Sequence, residues 1–164
     1  MIRAAQPKDC ISLAALSIQV WLETYAVEGI RTTYSTYAIS TFTESYFLKL
    51  LNHPDYRLLV SEIDVIYQGY VLVNLASDFN DNSNGFEVEK LYVHSKFSGQ
   101  GIGRRLLEQV QKNYGDKFWL YTWVENESNH FYRHLGFTKL GLLSFEFDGQ
   151  QIENNVYGFN GFRV

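Results

Sequence analysis

Glu87 and Glu89 flank Val88 in a run of strand-forming residues. On a strand that spacing projects both carboxylates from one face. Two like charges so close raise the pKa of one of them, and burial raises it further, towards a value useful to a general base. The same pair beside Lys90 also fits a solvated strand edge. Further on, Gly99, Gly101 and Gly103 recur at every second position and lead into Ile102, Leu106, Leu107 and Val110, an apolar stripe at helical spacing. Backbone N–H groups left unpaired at such a junction, together with the helix dipole, suit an anion such as a phosphate. Two phosphate-binding fingerprints are excluded. A dinucleotide loop starting at Gly99 or Gly101 needs glycine where Arg104 or Leu106 stands, and no Gly-Lys-Ser/Thr triplet follows. The glycines alone also fit a bare strand-to-helix turn.

Other constellations are weaker. His130 and His134 lie one helical turn apart, but no third ligand has a matching spacing, so no metal is expected. Cys10 has no evident base partner, and no Gly-x-Ser-x-Gly elbow occurs, which argues against an acyl-enzyme nucleophile. With 164 residues, a net charge of -4 and 20% charged residues, a duplex nucleic-acid partner is not indicated. A lone cysteine rules out an internal disulfide framework. No apolar run is long enough to span a bilayer and no signal peptide is recognised, so the expectation is a cytoplasmic protein without a membrane partner.

The elements that must position these residues follow from periodicity. Met1 to Ala5 reads as a strand; Asp9 caps a helix carrying Leu13, Leu16, Val20 and Trp21, ended by Gly29; and Phe42, Tyr46, Phe47 and Leu50 mark a second helix. Tyr56 to Ile63 and Val65 to Leu75 read as a hairpin turning at Asp64. The polar Ser77 to Gly85 segment connects to a strand from Phe86 to Val93, and the glycine-led helix follows. Lys117 to Val124 is a further strand, Asn129 to Leu135 a helix closed by Gly136, and two strands meet at Asp148 and Gly149. The class is mixed α/β, one domain over 1–164, with a layered sheet and helices on both faces.

Read whole, LYVHSKFSGQGIGRRLLEQV resembles the coenzyme-binding segment of the GNAT superfamily, the acyl-CoA-dependent N-acyltransferases. The family pattern is a strand ending Leu-x-Val, a short spacer, then Arg or Gln-x-x-Gly-x-Gly or Ala and an amphipathic helix. Leu91, Val93, Gly101 and Gly103 fall on it. NHFYRHLGF is similar to the family's later Phe-Tyr-x-x-x-Gly-Phe helix and supplies Phe131, Tyr132, Gly136 and Phe137. The opening strand and helix and the closing hairpin also look like the family's, so the resemblance covers nearly the whole chain. Two departures are visible. Ser98 takes the place of the Arg or Gln, and the asparagine-to-tyrosine spacing in VENESNHFY is one residue short of the commonest.

The resemblance implies a mostly antiparallel, twisted sheet of about seven strands and an acetyl-CoA cosubstrate. Pantetheine would run along Leu91, Tyr92 and Val93, with an oxyanion donor among their amides. Pyrophosphate would lie over Ser98, Gly99, Gln100, Gly101, Ile102, Gly103 and Arg104, and Asn126 or Asn129 would make a further coenzyme contact. Arg105 reads as an exposed helix residue. Tyr132 matches the family's acid, since a phenol of reference pKa about 10 can hold a proton for a departing thiolate of about 8.5. Glu87 is the closer match to the base, with Glu89 as the other candidate. The acceptor expected is a small-molecule primary amine. A protein or peptide amine and a non-catalytic acyl-CoA-binding module are the alternatives, and a homodimer is compatible with the family's habit. Trp21, Tyr25, Tyr34, Tyr37, Phe42 and Tyr46 could wall the acceptor by cation–π contact, although aromatics at such spacing are usually core.

Overall fold

Alternating apolar residues build the sheet, and two helical layers cover its faces. The computed structural model describes residues 1–162. β1 (Ile2–Ala4) leads through a short 3-10 turn into α1 (Cys10–Tyr25), followed by α2 (Thr32–Thr41) and α3 (Glu44–Leu51). The hairpin β2 (Tyr56–Ile63) and β3 (Ile66–Asn74) precedes β4 (Phe86–Val93), α4 (Ile102–Tyr114) and β5 (Phe118–Trp123). α5 (Ser128–His134), β6 (Thr138–Phe147) and β7 (Gln150–Phe159) complete the order. The seven strands lie β1-β2-β3-β4-β5-β7-β6. Every neighbouring pair is antiparallel except β4 with β5.

The period of two divides each strand between two cores. Val71 and Val73 face Leu106, Leu107 and Val110 of α4, together with Tyr132 of α5. Tyr70 and Leu72 face Leu13 and Trp21 of α1 and Phe47 of α3. The mixed α/β class and the seven-stranded sheet expected from the sequence are both present.

Three local expectations need correction. α1 ends at Tyr25, and Gly29 lies beyond it in the loop. α2 escaped the periodic reading because its sequence, TTYSTYAIST, carries no apolar stripe and buries only Ala38. Asp9 does not cap α1 through its side chain. Its fully buried carboxylate instead accepts from Arg3 at 2.8 and 2.9 Å, from the Tyr67 hydroxyl at 2.7 Å and from the Gln6 amide at 2.7 Å. The network ties β1 and the start of α1 to β3. Among the described residues no helix is long and apolar enough to cross a membrane.

Candidate active site

The glycine loop is shaped by backbone conformations that side chains resist. Gly99 and Gly101 have φ of 77° and 78°, in the left-handed region where only glycine is at ease. As the N-cap of α4, Gly101 offers no side chain to the first turn. Among the described residues, no acceptor meets the amides of Gly99, Gln100 and Gly101, and those of Ile102, Gly103 and Arg104 are the orphan donors of the helix start. The result is a run of N–H groups at the positive end of a helix dipole. Gly103 serves packing: a Cβ there would come within 3.1 Å of the Phe131 ring, so its absence lets α4 lie against α5. Arg105, expected as a plain exposed residue, is exposed but donates from Nη1 to the Gln100 carbonyl at 3.0 Å and fastens the loop. Arg104 pairs with Glu108 at 2.9 Å, and Ser98 donates its amide to the Ser95 carbonyl.

Beside this loop the sheet opens. β4 and β5 pair only at Phe86 with Phe118 and at Glu87 with Trp119. Beyond those pairs β4 continues along β3 to Val93, while β5 continues along β7 to Trp123. The His94 amide donates to the Gln68 carbonyl, so by the alternation of an antiparallel ladder Tyr92 also bonds to β3. The amides of Leu91 and Val93 point into the gap. The Tyr92 side chain lies on the α1 and α3 side, so of this trio the two flanking residues present the free backbone.

Tyr132 stands on the α4 and α5 side of that gap. Its ring packs 5.2 Å from Phe131 and from Phe137 and 6.0 Å from Tyr157. Among the described residues its hydroxyl has no hydrogen-bond partner, and the atom is not sealed from solvent. Burial raises the phenol pKa, which keeps the proton on at neutral pH. Asn129 is consumed by the fold. Its Nδ2 donates to the carbonyls of Trp123, Val124 and Asn126, and its Oδ1 accepts from Asn155 and the Tyr157 hydroxyl. The Asn126 side chain uses only Oδ1, which accepts the Ser128 amide at 3.0 Å, and its Nδ2 is free among the described residues.

On the other side of the sheet a β-bulge reorders the carboxylates. Val88 pairs with Val73 and Lys90 with Leu72, which leaves Glu89 as the extra residue. Strict alternation would send Lys90 to the face opposite Glu87. The bulge brings it to the same face, where its ammonium lies 3.8 Å from Glu89 and 5.9 Å from the Phe42 ring centroid. Burial lowers the Lys90 pKa against the raising effect of Glu89 and Glu87. Glu87 is 7% exposed and accepts from the Ser77 hydroxyl at 2.8 Å. Burial raises its pKa, opposed by the Ser77 hydrogen bond and reinforced by Glu89. Neither Ser77 nor Lys90 was singled out by the sequence.

The same face holds a cavity of about 420 Å³ between α1, α2, β5 and the β6–β7 hairpin. Trp21, Tyr25, Tyr34 and Tyr37 line it; Phe42 and Tyr46 do not, and Phe42 is core at 2% exposure. Tyr121, Trp123, Phe145 and Phe147 complete its aromatic wall. Trp119, Tyr121 and Trp123 alternate on β5, a period-two signal that the sequence carries openly. Tyr121 is pushed up to about 12 by burial and then by Glu87 and Glu89, so the cavity and the carboxylates share one electrostatic neighbourhood. Cys10 is fully buried with its thiol pKa raised by desolvation, and His130 and His134 are exposed. No group of three or more potential metal ligands occurs among the described residues.

Residues 54–139 match the family model described as an acetyltransferase (GNAT) domain. The chain is 22% identical over 139 residues, 80% of either chain, to an uncharacterized N-acetyltransferase in the pepI 3′ region of Lactobacillus delbrueckii subsp. lactis. Its fold is similar to that of the PaiA N-acetyltransferase from Thermoplasma acidophilum, solved in complex with coenzyme A. The TM-score is 0.73 at 19% identity over 94% of this chain and 96% of that one. A ribosomal-protein-alanine N-acetyltransferase from Brucella melitensis aligns with a TM-score of 0.69 at 22% identity over 96% and 98% of the two chains.

Proposed function

Because the chain belongs to the GNAT acetyltransferase family, we propose that it transfers the acetyl group of acetyl-CoA directly to the primary amine of a small molecule. The observation that carries this reading is the gap between β4 and β5, with the unpaired glycine-loop amides on one side and a half-open aromatic cavity on the other. The residues present fit the coenzyme. The amides from Gly99 to Arg104 suit a pyrophosphate, the outward amides of Leu91 and Val93 suit an extended pantetheine, and the free Asn126 Nδ2 adds a donor. Asn129, with every polar atom engaged, holds the β5–α5 turn instead.

Acetyl-CoA supplies the activated acyl group. The Glu87 carboxylate accepts the amine proton, directly or through water, and burial, which raises its pKa, makes it a stronger base than an exposed carboxylate. Glu89 and Lys90 form the charged surround that tunes it. One of the two outward amides, Leu91 or Val93, donates to the negative charge developing at the acyl oxygen, and the other is left to pantetheine. The amine nitrogen forms the C–N bond first. As the oxyanion collapses, the C–S bond breaks and Tyr132 Oη gives its proton to the departing sulfur. The thiol leaves neutral and the phenolate regains a proton from solvent. The cavity of about 420 Å³ is of a size that suits a small molecule.

The test is thermal stability with excess acetyl-CoA together with release of CoA thiol across a panel of amines. A rise in melting temperature and amine-dependent release support the proposal. Unchanged melting would overturn it. Coenzyme binding without turnover of any small or protein amine would favour a sensor.

A further inference from the structure

The acceptor cavity is more selective in its chemistry than capture of an amine requires. Its wall is a chain of rings. Trp123 on β5 lies 5.5 Å from Tyr25, Tyr25 4.9 Å from Trp21, Trp21 4.8 Å from Tyr37, and Tyr37 5.5 Å from Phe147 on β6. Rings so arranged present faces and edges to a flat guest, the geometry in which aromatic pairs attract beyond simple area burial. No charged group belongs to this chain of rings.

The lining charges are Glu28, Arg31, Glu146 and Asp148, which belong to the α1–α2 loop and the tip of the β6–β7 hairpin. Arg31 is the only lining cation among the described residues. Its guanidinium is already matched, 3.7 Å from Asp148 and 5.3 Å from the Tyr34 ring centroid. A carboxylate or phosphate on the substrate would therefore meet three rim carboxylates and one guanidinium already shared with Asp148, a rim that adds no net attraction for an acid. A linear diamine meets a different obstacle. It offers little apolar area to the rings, and the unmatched carboxylates lie on the exposed rim, where water weakens their pull.

Building on the acetyl-transfer reading above, we propose that the acceptor is an arylalkylamine, a primary amine on a short chain attached to a flat aromatic body, with no acidic group. The cavity of about 420 Å³ falls within the range of about 300–1,000 Å³ usual for small-molecule sites, room for a flat ring system and a short chain. The ring stacks in the aromatic wall, and the amine extends towards Glu87 at the strand gap.

The experiment uses the full chain with acetyl-CoA and follows thiol release with 2-phenylethylamine, phenylalanine, n-butylamine, 1,4-diaminobutane and a short peptide with a free amino terminus. The expected result is a kcat/KM for 2-phenylethylamine at least about tenfold above each of the others, in line with the extra ring contact. Tyr37 is 40% exposed, and Tyr37→Leu keeps an apolar side chain against Trp21 while removing the ring; an unchanged melting temperature confirms that α2 stays in place. This variant narrows the preference for 2-phenylethylamine over n-butylamine about two- to tenfold, through KM. Preference for the amino acid, the diamine or the peptide overturns the proposal, as does an equal effect of Tyr37→Leu on both monoamines. Binding of acetyl-CoA alone, read as a thermal shift, separates the two levels of inference. No shift refutes acetyl transfer itself. A shift without turnover of 2-phenylethylamine refutes only the arylalkylamine.

Discussion

Tyr132→Phe removes one oxygen, and its consequences for stability and for rate should separate cleanly. The ring contacts with Phe131, Phe137 and Tyr157 are kept, and the hydroxyl has no partner among the described residues. No hydrogen bond is lost, so stability changes by no more than about 0.5 kcal/mol. At a chain length of 164 residues that is roughly 1–2 °C in melting temperature. The rate behaves differently if Tyr132 protonates the departing sulfur. Loss of a positioned general acid lowers kcat about 10²- to 10⁴-fold, or roughly 2.7–5.4 kcal/mol of barrier. Steady-state thiol release with saturating amine measures this, and KM for acetyl-CoA should move little. A thioester of a more acidic thiol needs no proton to leave, so with such a donor the deficit should shrink. Because burial raises the phenol pKa, the wild type should show no alkaline loss from this group below the ordinary phenol value of about 10. A kcat within about threefold of wild type would refute the acid role. So would a loss of activity that follows a fall of several degrees in melting temperature, as expected of Tyr132→Ala, where an emptied ring site costs about 3–5 kcal/mol.

Other perturbations test the remaining parts. Burial holds Glu87 above the usual carboxylate range, so kcat/KM should fall as pH drops through that raised value; Glu87→Gln should abolish this limb and reduce the rate about 10²-fold or more, read from a pH–rate profile. A raised native pKa also makes Glu87 charge destabilising above its unfolded value, so Glu87→Gln should melt higher than wild type at neutral pH and alike below pH about 4. Gly101→Ala forces a side chain to φ 78°, which costs about 1 kcal/mol and lowers melting by about 2–4 °C. Gly103→Val meets the Phe131 ring and should weaken the thermal shift given by acetyl-CoA, measured by scanning fluorimetry. Asp9→Asn breaks a buried pair with Arg3 and should cost about 3–5 kcal/mol in urea unfolding. Arg3 holds the Asp9 carboxyl well below the usual range, so this deficit is complete above pH about 4 and narrows only as pH falls further.

The legible parts of this chain are those whose geometry has a local cause. The stripe Ile102, Leu106, Leu107 and Val110 predicts α4, and all four residues are buried. The hairpin strands were readable from their β-branched runs, and Asp64 and Val65 do turn with positive φ. The illegible parts depend on partners distant in sequence. α2 is stabilised by its neighbours, with Tyr34 and Tyr37 packed on Trp21 and Phe147, and carries no stripe of its own. The bulge at Glu89 arises from the register against β3, so no reading of β4 alone could bring Lys90 to the side of Glu87. The Asn126 and Asn129 alternatives likewise needed Asn155 and Tyr157, which occupy Asn129 from another strand.

The location of the site follows from the one parallel pair in the sheet. Antiparallel neighbours leave opposite ends of their strands together, whereas β4 and β5 end on the same side and need a crossover, which α4 provides. The glycine loop therefore leaves β4, and the turn into Tyr132 leaves β5, at one edge of the sheet. Pairing beyond Glu87 and Trp119 would close that edge and seal the Leu91 and Val93 amides. Because β5 instead follows β7, its far half leaves β4, and Tyr121 and Trp123 on that half line the aromatic cavity. On the proposed reading a thiol and an amine held on opposite sides of the sheet would meet there, and the proposed acid and base, Tyr132 and Glu87, face opposite sides of the sheet beside the same opening.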